Sequence, residues 1–458
     1  MNGFYKLHLA VQKRLRHIRP AQIIVLVFAA IILLGACILT LPVSSAAHVP
    51  TSFLTCLFTA TSATCVTGLI VVDTGLYWST FGKVVILLLI QIGGLGFMTV
   101  VSVFFVMLRR RIGLRQRMLV SQALGLDEIQ GAVGMVLRVL KGTALIEGTG
   151  AAILTLRFLP EYGLGRALWY GVFHAVSAFC NAGFDILGDV DLGGSVARYW
   201  TDPVVCLTLM ALIVLGGLGF LVWTDVVKSR RIFKMSLYTR LVLLLTAILI
   251  VGGTAVFAAL EWNNPATLGP LAPGQKLLVS AFQSVTTRTA GFASFPQERM
   301  TDASLASSVF LMFIGGSSGS TAGGLKTVTF AVVLLGAWSA ARGRTSVSVF
   351  RRTIPQAQIM QALTLFMLML TLIFTGAVVI SALNGCAFLT ALFETTSALA
   401  TVGLTAGLTP GLGAVSKVIL ILFMFFGRVG IMTISVGFLS AHRAEERFHY
   451  ANAKVLIG

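Results

Sequence analysis

Four short stretches of this sequence have the composition needed to hold a bare cation. They read Cys65-Val66-Thr67-Gly68, Cys180-Asn181-Ala182-Gly183, Arg288-Thr289-Ala290-Gly291 and Ala400-Thr401-Val402-Gly403. Glycine adopts positive φ without steric cost, so successive carbonyls in such a stretch can face one side and replace an ion's hydration shell. No Asp or Glu lies in any of the four. A ring of acids would favour divalent ions, whereas neutral carbonyls suit a monovalent one. Each stretch has one glycine where the TVGYG filter has two, which predicts fewer stacked sites.

A second group of residues could control passage. The run Gly315-Gly316-Ser317-Ser318-Gly319-Ser320-Thr321-Ala322-Gly323-Gly324-Leu325-Lys326 interrupts an apolar segment. Each glycine costs a helix about 1 kcal/mol relative to alanine, so the run is predicted to be a loop within the membrane. Arg428 lies in Phe425-Phe426-Gly427-Arg428-Val429. An arginine is expensive in lipid and must face a wet or polar interior. At 4 Å and an effective dielectric constant of 20, it would repel a passing cation by about 4 kcal/mol. The alternative for Arg428 is a structural ion pair, with Glu147 as partner, and Lys326 has similar alternatives. Arg288 and Glu394 read more readily as structural, and His174 as a packed polar residue. Asp185, Asp189, Asp191 and Asp202 either concentrate cations at a mouth or are simply solvated. The six cysteines show no CxxC or Cys/His metal spacing, and no Ser/His, Asp/Asp or HExxH set lies in an apolar segment. A disulfide framework, a zinc site and an intramembrane enzyme are thereby disfavoured.

The elements that position these residues repeat. Phe58, Phe173 and Phe393 each open an F-x-x-x-S-A-x-x-x-x-G frame ending on Gly68, Gly183 and Gly403, and Phe282 opens a frame one residue shorter that ends on Gly291. A single such segment would read as a buried amphipathic helix capped by glycine; four at nearly even spacing do not. Apolar stretches at about 21–42, 84–108, 135–158, 203–224, 239–260, 309–338, 360–383 and 415–440 approach the roughly 20 residues that cross a bilayer. Between successive pairs lie segments near 51–63, 167–178, 276–287 and 386–398, too short and too rich in Ser and Thr to span. These are predicted to be re-entrant half-helices, because irregular backbone at membrane depth survives only against protein or a wet cavity. The expected fold is an all-α integral membrane protein of four helix–pore-loop–helix repeats around a central pore, with eight spanning helices and one broken inner helix. The expected divisions are a basic N-terminus at 1–19, repeats at 20–117, 118–235, 236–352 and 353–443, and a tail at 444–458.

Composition agrees with this class. Hydrophobic residues make up 57% and charged ones 11% of 458 positions, far from a soluble domain. The net charge of +18 is one-sided: tracts at 1–19, 109–117, 138–141, 228–240, 342–352 and 443–454 hold most of the Lys and Arg and flank the same ends of the apolar stretches. That distribution argues for topological anchoring and against nucleic acid. The positive-inside rule places both termini and these tracts in the cytoplasm. The first apolar stretch is read as a retained span and not a signal peptide.

The repeat plan and the strings CVTGL, CNAGF, TRTAGF and TVGLT resemble the Trk/Ktr/HKT superfamily of potassium transporters, most closely its bacterial KtrB subunits, over nearly the whole chain. The resemblance implies potassium moving down its electrochemical gradient through a carbonyl filter, gated by the loop at 315–326 with Lys326 and by Arg428. It also implies a homodimer in the bacterial plasma membrane, a cytoplasmic nucleotide-binding ring of the KtrA type as a separate chain, no covalent cofactor, and sodium as a candidate activator. Gly68 supports potassium over sodium, since some sodium-selective plant relatives carry serine there. A proton-coupled transporter of the TrkH type is the alternative.

Overall fold

A computed structural model describes residues 20–96, 132–189, 196–229, 231–344 and 346–430. The predicted basic tracts at 1–19, 109–117 and 443–454, the distal parts of the apolar stretches at 84–108 and 415–440, and Asp191 lie outside the described residues. Thirteen helices of ten or more residues account for most of the rest: α1 Pro20–Leu39, α2 Phe53–Thr64, α3 Thr80–Leu95, α4 Ala132–Phe179, α5 Pro203–Leu218, α6 Phe220–Ser229, α7 Leu237–Glu261, α8 Pro273–Thr286, α9 Asp302–Phe313, α10 Thr327–Ala341, α11 Gln356–Asn384, α12 Phe388–Leu399 and α13 Ala414–Val429. Caps mark several starts. Ser79 and Ser236 accept from the backbone N–H groups of Gly82 and Thr239, and Asp202 accepts from those of Val204 and Val205, satisfying donors that a helix start leaves open.

Among the described residues, α1, α4, α7 and α11 are long and apolar enough to cross a membrane, and the bent pair α5–α6 makes a fifth. Several elements depart from unbroken spans. α4 absorbs both a span and the second re-entrant segment. Its axis breaks at Gly163, at φ 72° and ψ 167°, three residues after Pro160; the proline has no N–H to give and the glycine accepts the non-helical turn. The stretch at 203–224, whose glycines at 216–219 read as a bend or a close helix contact, bends by 93° between α5 and α6. The hinge is Gly219, at φ 86°. The freed groups find partners: the Phe220 N–H donates to Gly319 O and the Trp223 indole to Leu215 O, each at 3.0 Å. The third inner helix stops at Phe313 and resumes at Thr327.

One short hairpin accompanies the helices. Val347–Val349 and Arg352–Ile354 pair as an antiparallel hairpin, with Phe350 and Arg351 both at positive φ in the turn, the geometry of a two-residue primed turn that matches strand twist.

The short helices are arranged cyclically. α2 packs against α13, α4 against α3, α8 against α5 and α12 against α9, so each contacts the helix returning from the preceding unit and the last closes on the first. The inner helices approach the short ones at backbone distance. A Cβ on Gly93, Gly216 or Gly427 would overlap the carbonyl oxygen of Thr64, Phe179 or Leu399 respectively, where small residues let membrane helices come close.

Candidate ion pathway

The four glycine stretches meet. A Cβ on Gly68 would overlap the carbonyl oxygen of Ala182, one on Gly183 that of Ala290, one on Gly291 that of Val402, and one on Gly403 that of Thr67. Each glycine thus leans on the next stretch in chain order, and the contacts close into a ring. The glycines take φ of 95°, 67°, 81° and 97°, and the residues two before them, Val66, Asn181, Thr289 and Thr401, take 55°, 58°, 68° and 51°. Positive φ at a β-branched residue is an outlier, and here it occurs at Val66, Thr289 and Thr401, with asparagine, which tolerates it better, at the equivalent position of the second loop.

The local cause is the way each short helix ends. In the first, Val66 N–H bonds Ala63 O and Thr67 N–H bonds Ser62 O; Asn181 with Ala182, and Thr401 with Val402, repeat the pair. This is a Schellman ending with a left-handed residue after the cap. In the shorter third frame, Ala290 N–H bonds Thr286 O, one residue closer. The frame's hydroxyl then reaches forward. Ser62 and Ser397 Oγ accept from Gly68 and Gly403 N–H, each at 3.0 Å, while Ser177 and Thr286 donate to Phe184 O and Phe292 O at 2.8 and 2.7 Å. The serine was visible in the repeated frame, but its role as a strut was not.

In three of the four units the residue after the frame phenylalanine ties down the chain that follows the glycine. His174 Nε2 lies 2.9 Å from Asp185 Oδ1. Gln283 donates to Gln297, and buried Glu394 accepts from Thr405 and Thr409 hydroxyls and from Ala406 and Leu408 N–H groups. These chains frame a cavity of about 270 Å³ on the outer side of the ring, lined by all four glycines and by Asp73, Asp185 and Glu298. Asp185, one of the four acids read as either mouth-lining or solvated, lines it. Asp202 instead pairs with Arg157 at 2.6 Å, and Asp73 and Glu298 are further acids of the cavity wall.

On the opposite side lies the stretch 314–326. It docks into the break of the second inner helix: Ser317 and Thr321 N–H groups donate to Gly217 O and Gly216 O, Thr321 Oγ1 to Phe179 O, and Tyr238 Oη to Ser318 O. Its ends are zipped together by Gly315 N–H to Leu325 O and Thr327 N–H to Gly316 O, and Lys326 Nζ donates to Ala322 O at 2.7 Å. Gly323 abuts Thr401, and Gly324 abuts Ala400. The loop therefore sits directly against the cyclic site. Arg428 donates to Thr321 O on this loop and to Gly93 O and Gly94 O on α3. Its partners are backbone carbonyls and not Glu147, which accepts from Gln91 and Cys180. The backbone of Arg288 belongs to the third loop, while its buried side chain runs to Thr246 on α7 and Thr327 on α10. Three buried hydroxyls at the ring, Thr64, Thr67 and Thr401 Oγ1, have no protein partner.

The sequence matches the TrkH family of cation transport proteins over residues 8–450. It is 40% identical to the potassium/sodium uptake protein NtpJ of Enterococcus hirae, over 98% of this chain and 99% of that protein. It is 41% identical to the Ktr system potassium uptake protein B of Bacillus subtilis over 96% of this chain and 97% of the relative, and 37% identical to its namesake in Vibrio alginolyticus over 95% and 94%. Among solved structures, the potassium transporter TrkH of Vibrio parahaemolyticus shares the fold at a TM-score of 0.70 and 18% identity, covering 91% of this chain and 84% of that one. With a family match and relatives of this identity spanning almost the entire length, the chain belongs to the Trk/Ktr superfamily of cation transport proteins, as a KtrB-like multi-pass membrane transporter and not an enzyme.

Proposed function

We propose that this chain is the potassium-translocating subunit of a Ktr-type uptake system, in which four repeats surround one pore and ions descend their electrochemical gradient. The observation that carries this reading is the closed ring of Gly68, Gly183, Gly291 and Gly403. Alternating left-handed residues turn neighbouring carbonyls toward a common side, and a ring of neutral oxygens suits a monovalent cation. The unpartnered hydroxyls of Thr67 and Thr401 fit a wet, ion-lined axis, since buried polar atoms otherwise find partners. Asp73, Asp185 and Glu298 around the outer cavity raise the local cation concentration. The stretch 315–326 is the gate: held by Arg428 and Lys326, it lies across the inner side of the filter. The names of the relatives, potassium uptake and potassium/sodium uptake proteins, support potassium as substrate; sodium is the proposed activator. The Ktr system name of the relatives favours a multi-component system, which this reading takes as a homodimer seated on a KtrA-type nucleotide-binding ring in the cytoplasm of a bacterium.

Growth rescue of a potassium-uptake-deficient bacterium tests the function. Expression together with a KtrA-type ring restores growth at submillimolar potassium, and more strongly with added sodium. Failure to rescue in a strain with confirmed membrane expression contradicts the potassium reading; rescue indifferent to sodium removes sodium activation alone.

A further inference from the structure

The gate is held on one side by an arginine whose donors are well used. Arg428 gives hydrogen bonds to three carbonyls, one of them on the loop. A second buried arginine on the other side is in the opposite condition. Among the described residues, Arg288 reaches the hydroxyls of Thr246 and Thr327 alone, each at 3.5 Å, and its Nε has no protein partner. No carboxylate pairs with it among the described residues. A guanidinium carries five N–H donors, and burying them with so few acceptors is costly. The cavity beside it, about 10 Å³ or one water in size, is lined by Arg288, Thr246, Gly217 and Gly316. Gly316 belongs to the gating loop. Thr327, the residue at 3.5 Å, donates through Oγ1 to Gly315 O at 2.8 Å, where the loop departs from α9.

We propose that Arg288 is the latch for the open gate: when the loop leaves Arg428, carbonyls of the segment following Gly315 swing toward Arg288 and satisfy the donors it now holds idle. The two arginines then bracket the loop's travel, one rewarding each end. The inference rests on the gating reading of residues 315–326. It makes Arg288 a positioning residue that acts on the loop, although its backbone lies in the third filter stretch.

The test is a double-mutant cycle on the full chain in proteoliposomes, reading potassium flux and the potassium-to-sodium ratio for Arg288→Met, for a deletion of residues 317–322, and for both. Arg288→Met is expected to lower flux roughly ten- to a hundredfold, the scale of lost hydrogen bonds to a charged group, with the ion ratio unchanged. In the deleted background, where the latching segment is gone, it changes flux less than twofold. Arg288→Lys recovers part of the loss in the intact protein, since it keeps the charge. Equal losses in both backgrounds, a shifted ion ratio, or no loss in the intact protein overturns the proposal. A deletion that by itself fails to raise flux refutes the gate reading, and the latch with it. Size-exclusion profile and thermal midpoint check folding; if Arg288→Met does not fold, the comparison of Arg288→Lys with Arg288→Gln carries the same outcomes.

Discussion

Four residues with side chains, Val66, Asn181, Thr289 and Thr401, hold left-handed backbone next to the four glycines. Each conformation costs about 1–2 kcal/mol for an L-residue, and the Schellman bonds and hydroxyl struts of the short helices hold it in place. The ring has no slack for added atoms. At Gly68 a Cβ would both suffer at φ 95° and overlap Ala182 O on the neighbouring stretch. Gly68→Ser is therefore expected to lower the potassium-to-sodium uptake ratio about tenfold, equivalent to about 1.4 kcal/mol. Gly68→Ala should do nearly as much, because the methyl position and not the hydroxyl displaces the ring. Competitive uptake of rubidium and sodium reads this, and a ratio unchanged in both variants would remove Gly68 from the filter. The glycine strings were legible because a closing glycine after small residues is a local pattern. The idle donors of Arg288 and the vestibule positions of Asp73 and Glu298 were not, since both depend on which distant chains fold against them.

At the scale of elements, the inner helices end or bend at a positive-φ glycine: Gly96 after α3, Gly219 after α5 and Gly430 after α13. Among the described residues the third contains a long irregular run, which the glycine and serine content at 315–326 announces. The glycines at 216–219 read as a bend or a close helix contact; the 93° size of the bend was not legible, because what stabilises it is Gly319 O, an acceptor supplied from a hundred residues downstream. That interlock makes the loop and the bent helix one mechanical part. Deleting residues 317–322 is expected to raise potassium flux at least fivefold by removing the obstruction. Arg428→Gln should raise it less, since Lys326, Ser317 and Thr321 still anchor the loop. Flux measured in proteoliposomes checks both; a well-folded deletion with flux at or below that of the parent would mean that the loop conducts and does not block. The scale of the Arg428 effect should be a few-fold, as three charge-assisted bonds are exchanged for those of a neutral amide.

For the molecule as a whole, the order in which the stretches lean on one another, first on second through fourth on first, follows the chain, and cyclic closure is what gives one axis to four unequal parts. The repeated frame made four units legible; it carried no information on which neighbour each would touch, because those contacts are made by backbone carbonyls common to every sequence. Charge is the other molecular property. Arg342 and Arg344 after α10, with Arg351 and Arg352 at the hairpin, are exposed and lie with the tracts predicted to face the cytoplasm. A basic platform of this kind steers an oppositely charged surface and is screened over about 8 Å at physiological salt. Binding of a KtrA-type ring to this chain in detergent should accordingly weaken about tenfold between 50 mM and 500 mM salt, by an on-rate effect visible in surface plasmon resonance. Replacing Arg342, Arg344, Arg351 and Arg352 together by Gln should flatten that dependence while leaving the ring's affinity at high salt unchanged. A salt dependence identical in the parent and the fourfold variant would place the docking surface elsewhere.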